Sequence, residues 1–254
     1  MAARSRRKVG AIPSVNWSLR ITSTAGLVKA VGADLGVLID SPAERLWLVD
    51  EHSRPIAPET ALLLFVRELA ASNGGGRLLV PINESRMVEE IANGHSLHVE
   101  RTKASLGDLL AAATAGDVVF AGASGGGYVF PEFLPAYDAV MSLGKLLELV
   151  AHSGRELSAL VEDLPRSTLV HVREPCPWSA KGLAMRQLIE AVKGMQVDNM
   201  DGIKVYEPDG WVQVLPDPDE PVFHVYAEGE SLEDSRRLEQ KYRALLDGFV
   251  SATA

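Results

Sequence analysis

The run VVFAGASGGGYVFPEF, residues 118–133, decides how the rest of the chain is read. Val118 to Ala121 form a short apolar run, read as a buried strand, and Gly122, Gly125, Gly126 and Gly127 follow it directly. A strand that ends in glycines marks the carboxyl edge of a layered α/β sheet, where ligands bind. Glycine backbone in series exposes N–H groups that can cradle an anion or lie against a sugar, although a tight structural crossover uses the same residues. No Lys-Ser/Thr follows and the dinucleotide spacing is absent, so neither nucleotide-loop signature is met.

Working outward, strand and helix patterns alternate. Toward the N-terminus lie a helix at Leu106–Ala115, a strand at Ser96–Arg101, a helix at Ser85–Asn93 and a strand at Arg77–Pro81. Before them, Ala61–Ala71 reads as a helix with Pro58 at its first position, and Ala33–Asp40 and Leu46–Asp50 read as partner strands. After the glycine run, Pro135–Ser153 is a helical stretch stopped by Gly154. This βαβα order predicts an α/β layered architecture. A boundary is expected at residues 163–167, beyond which the grammar changes. Leu169–Arg173, Gly202–Tyr206, Trp211–Leu215 and Val222–Glu228 read as strands, and Trp178–Val192 as a helix. A final helix opens at Ser231, with Asp234 three residues later as in a capping box and a stripe of Leu238, Tyr242, Leu245, Leu246 and Phe249. That is the pattern of a small α+β domain.

Composition narrows the function classes. Of 254 residues, 46% are hydrophobic, enough for a substantial core, which rules out wholesale disorder. Twenty-five Lys+Arg against 34 Asp+Glu give a formal charge of −9. Such a field repels phosphate backbones and anionic lipid, so neither nucleic acid nor a membrane surface is an expected partner. No run approaches the roughly 18 apolar residues of a membrane helix. The basic start Arg4-Ser5-Arg6-Arg7-Lys8 is not followed by an uninterrupted apolar stretch, because Asn16, Trp17, Ser18 and Arg20 intervene. With the single Cys176 unable to pair within the chain, a reducing cytoplasm is the expected location.

Three further features carry chemistry on paper. Asp40 and Glu44 lie four apart on a loop after a strand and could hold a hard cation, or could simply be a polar turn bent by Pro42. Leu215-Pro216-Asp217-Pro218-Asp219-Glu220-Pro221 is a stiff acidic loop between two strands. The six histidines, among them His171 and His224, are scattered without a ligand spacing, which argues against zinc. Cys176, between two prolines, reads as a packed small hydrophobe rather than a nucleophile.

In order, these loops resemble the second half of an α-D-phosphohexomutase (the phosphomannomutase/phosphoglucomutase family). Gly32-Ala33-Asp34-Leu35-Gly36, Asp40, Arg45 and Val49-Asp50 are similar to the strand and metal loop of its second domain. Residues 119–133 resemble the sugar loop of its third. Asp201-Gly202-Ile203-Lys204-Val205, Trp211-Val212, Glu220-Pro221 and Val225-Tyr226-Ala227-Glu228 resemble its phosphate-binding fourth domain. The resemblance implies residues 1–54 as a partial second domain, 55–165 as a third αβα layered domain, and 166–254 as an α+β fourth domain. It also implies Mg²⁺ as cofactor, a sugar phosphate or sugar nucleotide as ligand, and isomerase activity in carbohydrate metabolism.

The motifs depart from the family pattern at each loop. The phosphorylated serine of the first domain has no counterpart: Thr22-Ser23-Thr24-Ala25-Gly26 is only an echo, and Thr24 reads as a helix cap. In the metal loop, Asp-Gly-Asp-x-Asp-Arg, Pro42 replaces the middle Asp and Glu44 the last, which leaves Asp40 and Glu44 and predicts weak or absent Mg²⁺ binding. In the sugar loop, Gly-Glu-x-Ser-Gly, Ala123 stands for Glu and Gly125 for Ser, so Gly122, Ser124, Gly125 and Gly126 offer mostly backbone. In the phosphate loop, Arg-Pro-Ser-Gly-Thr-Glu-Pro, Leu215 replaces Arg, Asp217 Ser and Asp219 Thr, with Glu220 kept. A carboxylate ~4 Å from a phosphate charge costs about 4 kcal/mol at an effective dielectric near 20. These departures predict a catalytically silent module, a pseudoenzyme serving assembly or regulation of sugar-nucleotide synthesis. The alternatives are a phosphomannomutase/phosphoglucomutase completed by a separate first domain, and a sugar-nucleotide or cation sensor. The Asp-Pro-Asp-Glu-Pro run and Cys176-Pro177-Trp178 also resemble the mutase-like tail of some bacterial sugar-1-phosphate nucleotidyltransferases, which implies such an enzyme as partner.

Overall fold

A computed structural model describes residues 17–72 and 75–251 of the chain. Helix α1 (Trp17–Val31) leads into a two-stranded antiparallel hairpin, β1 (Leu35–Ile39) and β2 (Leu46–Asp50). Helix α2 (Pro58–Ala71) starts with Pro58 at its first turn, as the fixed φ of proline favours. Residues 61–66 of α2 are buried all round, so this helix runs through the core rather than over it.

The α/β pattern then appears as β3 (Gly76–Pro81), α3 (Met87–Ala92), β4 (Leu97–Thr102), α4 (Leu106–Ala113), β5 (Val118–Gly122) and β6 (Tyr128–Val129). The strands order as β4-β3-β5-β6, with β3 parallel to both neighbours and β6 antiparallel to β5. Two helical crossovers thus place the carboxyl ends of β3 and β5 side by side. Helices α5 (Ala139–Ser153) and α6 (Leu157–Glu162) close this part. One core joins Leu46 and Leu48 of β2 to Phe65, Phe120, Tyr128 and Leu146.

The rest comprises β7 (Val170–Pro175), α7 (Trp178–Ala191), β8 (Gln196–Asp198), β9 (Ile203–Glu207), β10 (Gly210–Pro216), β11 (Val222–Gly229) and α8 (Leu232–Ser251). Its sheet is antiparallel in the order β7-β11-β10-β9-β8. Alternation puts Val205, Val212, Val214, Phe223 and Val225 on one face, packed on α7 and α8 in a second core. The opposite face carries His171, Lys204, Trp211, His224, Tyr226 and Glu228. The capping box is present: Ser231 Oγ accepts from Asp234 N, and Asp234 Oδ2 accepts from Ser231 N, each at 3.1 Å.

Several expectations need correction. Thr24 is no cap. It lies inside α1, where its Oγ1 donates to the carbonyl of Arg20 one turn back. The helix expected from Pro135 starts at Ala139, because Asp138 is its cap and accepts from Met141 N at 2.8 Å. The helix expected from Ser85 starts at Met87, because Ser85 Oγ is bonded to Glu228. Helix α6 and strands β6 and β8 have too few residues to carry a period and were not foreseen. The basic run Arg4–Lys8 and Asn16 lie outside the described residues, whereas Trp17, Ser18 and Arg20 fall in the first turn of α1.

Candidate functional site

The hairpin loop and the glycine loop meet where β3 and β5 end, and the polar face of the antiparallel sheet packs against the segment that follows β3. The two parts are joined there by buried polar contacts. Glu228, fully buried, accepts from Ser85 Oγ, from Arg86 N at 2.9 Å and from Trp211 Nε1 at 3.0 Å. Lys204 Nζ donates to the Ile82 carbonyl at 2.8 Å and sits 3.6 Å over the Trp211 ring. Burial pushes the Lys204 ammonium down to about 8.

The hairpin loop is closed on itself. Asp40 Oδ1 accepts from the backbone N–H of Glu44 at 2.8 Å and of Arg45 at 3.0 Å. Glu44 points to solvent. Asp40 Oδ1 is thus taken by backbone amides, Glu44 is exposed and Pro42 lies between them, whereas Mg²⁺ takes oxygen ligands in near-octahedral geometry. Among the described residues, the one group of three side chains spaced for a metal ion is Glu51, His52 and Glu156, which includes neither Asp40 nor Glu44. Glu51 there caps the amide of Ser158 at 3.2 Å.

The glycine loop, Gly122 to Gly127, is tied to this hairpin. Leu46 N donates to Gly126 O at 3.0 Å, and Arg45 bridges Gly127. Gly126 has φ +84°, and a Cβ there would lie 2.8 Å from Leu46 O, so glycine is required by both conformation and contact. Arg45, Ser105, Ala123, Gly125, Gly127 and Tyr137 line a cavity of about 180 Å³ beside the loop. Ser124, the one polar side chain of the loop, turns inward. Its N–H and its Oγ both donate to Glu84 Oε1, each at 2.9 Å. Glu84 is 3% exposed, and burial pushes its carboxyl up to about 7 despite the Ser124 bonds.

The acidic loop is closed by its own first carboxylate. Asp217 Oδ1 accepts from the N–H of Asp219 at 2.8 Å and of Glu220 at 2.7 Å, and Oδ2 faces His224 Nε2 at 2.8 Å. The His224 bond and then the backbone amides hold this carboxyl down to about 2. Lys181, the nearest buried cation, donates to the carbonyls of Asp217 and Glu220, while Glu220 pairs with Arg173.

Sequence reading missed Glu84 and the histidine pair. His171 and His224, 53 residues apart, meet on neighbouring strands with ring nitrogens 2.9 Å apart, and Tyr226 stacks on His171 at 4.2 Å between centroids. Burial and then the charge of His224 push His171 down to about 4. The outward-facing alternation of β7 and β11 was the available signal; their pairing register was not. Glu84 carried the signal of lying just past the carboxyl end of β3. Cys176 is buried, and burial raises its thiol, as a packing role requires.

Comparison with known proteins agrees with this architecture. Residues 57–168 match the family described as phosphoglucomutase/phosphomannomutase, alpha/beta/alpha domain III. The chain is 33% identical over 214 residues to a phosphoglucomutase/phosphomannomutase of Thermococcus kodakarensis, covering 83% of this chain and 46% of that protein. It is 30% identical to a probable phosphoglucosamine mutase of Methanopyrus kandleri, covering 85% and 48%. Among solved structures, a phosphoglucomutase/phosphomannomutase family protein of Burkholderia thailandensis shares the fold with a TM-score of 0.77 at 21% identity, over 91% of this chain and 50% of that one. Among the described residues no helix is long and apolar enough to cross a membrane. The chain spans about half the length of the curated relatives it matches, and it belongs to the phosphoglucomutase/phosphomannomutase (α-D-phosphohexomutase) family.

Proposed function

We propose that this chain is a phosphohexomutase-like module that takes part in sugar-phosphate or sugar-nucleotide metabolism without itself turning over hexose phosphate. The observation that carries this reading is the closed acidic loop: the amides of Asp219 and Glu220 already donate to Asp217. A substrate phosphate there would have to displace an ionised carboxylate and then sit beside it, with Leu215 in place of a guanidinium. The Asp40 loop supports the same reading, because its amides are likewise taken by its own carboxylate. Mg²⁺ binds this loop weakly or not at all, and calorimetric titration checks it: micromolar affinity that disappears in Asp40→Asn would contradict the reading. The partner in this picture is a sugar-1-phosphate nucleotidyltransferase, on the sequence resemblance noted above, and the compartment is the cytoplasm.

A second reading is a working mutase whose phosphoserine-bearing half is joined to or supplied beside this one. The activities named for the Thermococcus and Methanopyrus relatives favour it. A coupled assay of glucose 1-phosphate conversion, primed with glucose 1,6-bisphosphate and Mg²⁺, separates the two. The module reading expects no turnover above background from the chain in its full natural context, and turnover that falls in Asp217→Ala would establish the mutase.

A further inference from the structure

The three loops share one device: in each, donors that a ligand could use are held by a carboxylate of the chain. Asp40 and Asp217 close their own loops from within, over two to five residues. Glu84 instead reaches the glycine loop from 40 residues away, and takes both the amide and the hydroxyl of Ser124. Its surroundings do little to stabilise a charge. Among the described residues no cation is hydrogen-bonded to it; the electrostatic neighbours are Glu59 on α2, which opposes ionisation, and Arg101 on β4, which favours it weakly. Tyr128 on β6, Tyr137 before α5 and Tyr226 on β11 all feel its charge, and Glu228 on β11 acts on the same Glu59. Two buried polar atoms in these segments, Tyr128 Oη and Asn83 Oδ1, have no hydrogen-bond partner among the described residues.

We infer that Glu84 is a specificity-determining residue of the candidate site: a ligand anion reaches the Ser124 donors of the glycine loop only together with a proton taken up by the Glu84 carboxyl. The ionised carboxylate competes for the same N–H and O–H and repels a second anion across them. The neutral acid is a weaker acceptor and carries no charge, so it releases the loop. One proton moves from solvent to a Glu84 oxygen and no covalent bond forms or breaks. The inference rests on the proposed function for its place in sugar-phosphate or sugar-nucleotide metabolism. It takes as ligand an anionic sugar phosphate, met weakly at the glycine loop and not at the closed acidic loop; the closure itself is a property of the free protein. Burial already holds this carboxyl up to about 7, whereas Asp217 is held down to about 2, so of these two closures it is that of Glu84 which opens near neutral pH.

The test has two arms. In the first, the ¹⁵N amide resonances of Ser124 and Gly125 in the ligand-free chain are followed from pH 5 to 9. They shift with a midpoint near neutrality in the wild type and stay flat in Glu84→Gln; Ser124→Ala, which removes one donor to the carboxylate, moves the midpoint upward. Flat wild-type resonances, or a shift that persists in Glu84→Gln, overturn the inference. In the second arm glucose 1-phosphate is titrated at pH 7.5 and 8.5. Wild-type affinity falls by up to tenfold across that unit, the limit for one coupled proton, while Glu84→Gln binds equally at both. Absence of glucose 1-phosphate binding to either protein, with the amide titration intact, contradicts the ligand class and leaves the Glu84 closure standing. Equal pH dependence in both proteins overturns the Glu84 assignment alone.

Discussion

The acidic loop at residues 215–221 and the glycine loop at 122–127 are both closed by a carboxylate, but one closure is local and the other is not. Asp217 accepts from amides two and three residues ahead, the usual habit of aspartate in a turn, and faces His224 Nε2. It is exposed enough to remain ionised at low cost. Glu84 is buried 40 residues from its partner, has no cation bonded to it among the described residues, and bears the desolvation of its charge. The same chemical group therefore makes a permanent stop in one loop and a proton-dependent one in the other. Burial and partner charge decide which.

The comparison can be broken most forcefully at the contact that joins the two parts of the molecule carrying these loops. Glu228→Ala leaves Trp211 Nε1, Arg86 N and Ser85 Oγ without their acceptor and Lys204 without its nearby counter-charge. Unsatisfied buried donors cost ~1–3 kcal/mol each, so a loss of about 3 kcal/mol or more is expected in urea unfolding. Glu84→Gln acts in the opposite sense. Its carboxyl is raised from 4.5 to about 7 on folding, so the native state binds the proton more tightly. Wild-type stability is then unaffected below pH 4.5, declines as pH rises toward 7 and stays reduced above it. The glutamine variant is expected to be more stable than wild type by about 3 kcal/mol at pH 8 and no more stable at pH 4, as thermal unfolding at the two pH values would show.

Gly126→Ala sharpens the link between the glycine loop and the hairpin. At φ +84°, with its Cβ 2.8 Å from Leu46 O, alanine is strained and pushes the two apart, at a cost of ~1–3 kcal/mol. Gly125→Ala, with open space around its Cβ, serves as the neutral control. The smallest effect belongs to Asp217→Asn. Because the folded pKa of Asp217 is depressed to about 2, its contribution is present above pH 3.8 and fades as pH falls through 2. The variant is expected to be slightly less stable than wild type at pH 6, with the gap closing below pH 3.

The local closure was close to legible in the sequence and the distant one was not. Asp-Pro-Asp-Glu-Pro announces a rigid acidic turn, and loss of Arg, Ser and Thr there could be read residue by residue. The strands around it followed from alternation, since Val212, Val214, Phe223 and Val225 face one core. Glu84 and the His171–His224 pair depend on which strand lies beside which, and no local pattern encodes that neighbourhood. The hairpin at the start was read correctly as two partner strands. Its sharing of a core with Phe65 and Phe120 followed only from the path of α2.

The central claim is that the chain's own Asp217 stands where a substrate phosphate would be held, so restoring donors should restore binding. The direct measurement is calorimetric titration of glucose 1-phosphate at pH 8, at low and high salt, against the wild type and the triple variant Leu215→Arg, Asp217→Ser, Asp219→Thr. The exchange shifts the local charge by +3, supplies a bidentate partner and frees the amides of Asp219 and Glu220, though Pro218 still offers no N–H. The predicted result is no micromolar binding by the wild type, measurable binding by the variant that weakens with salt, and no turnover by either. Micromolar binding by the unchanged chain at pH 8 would contradict the account.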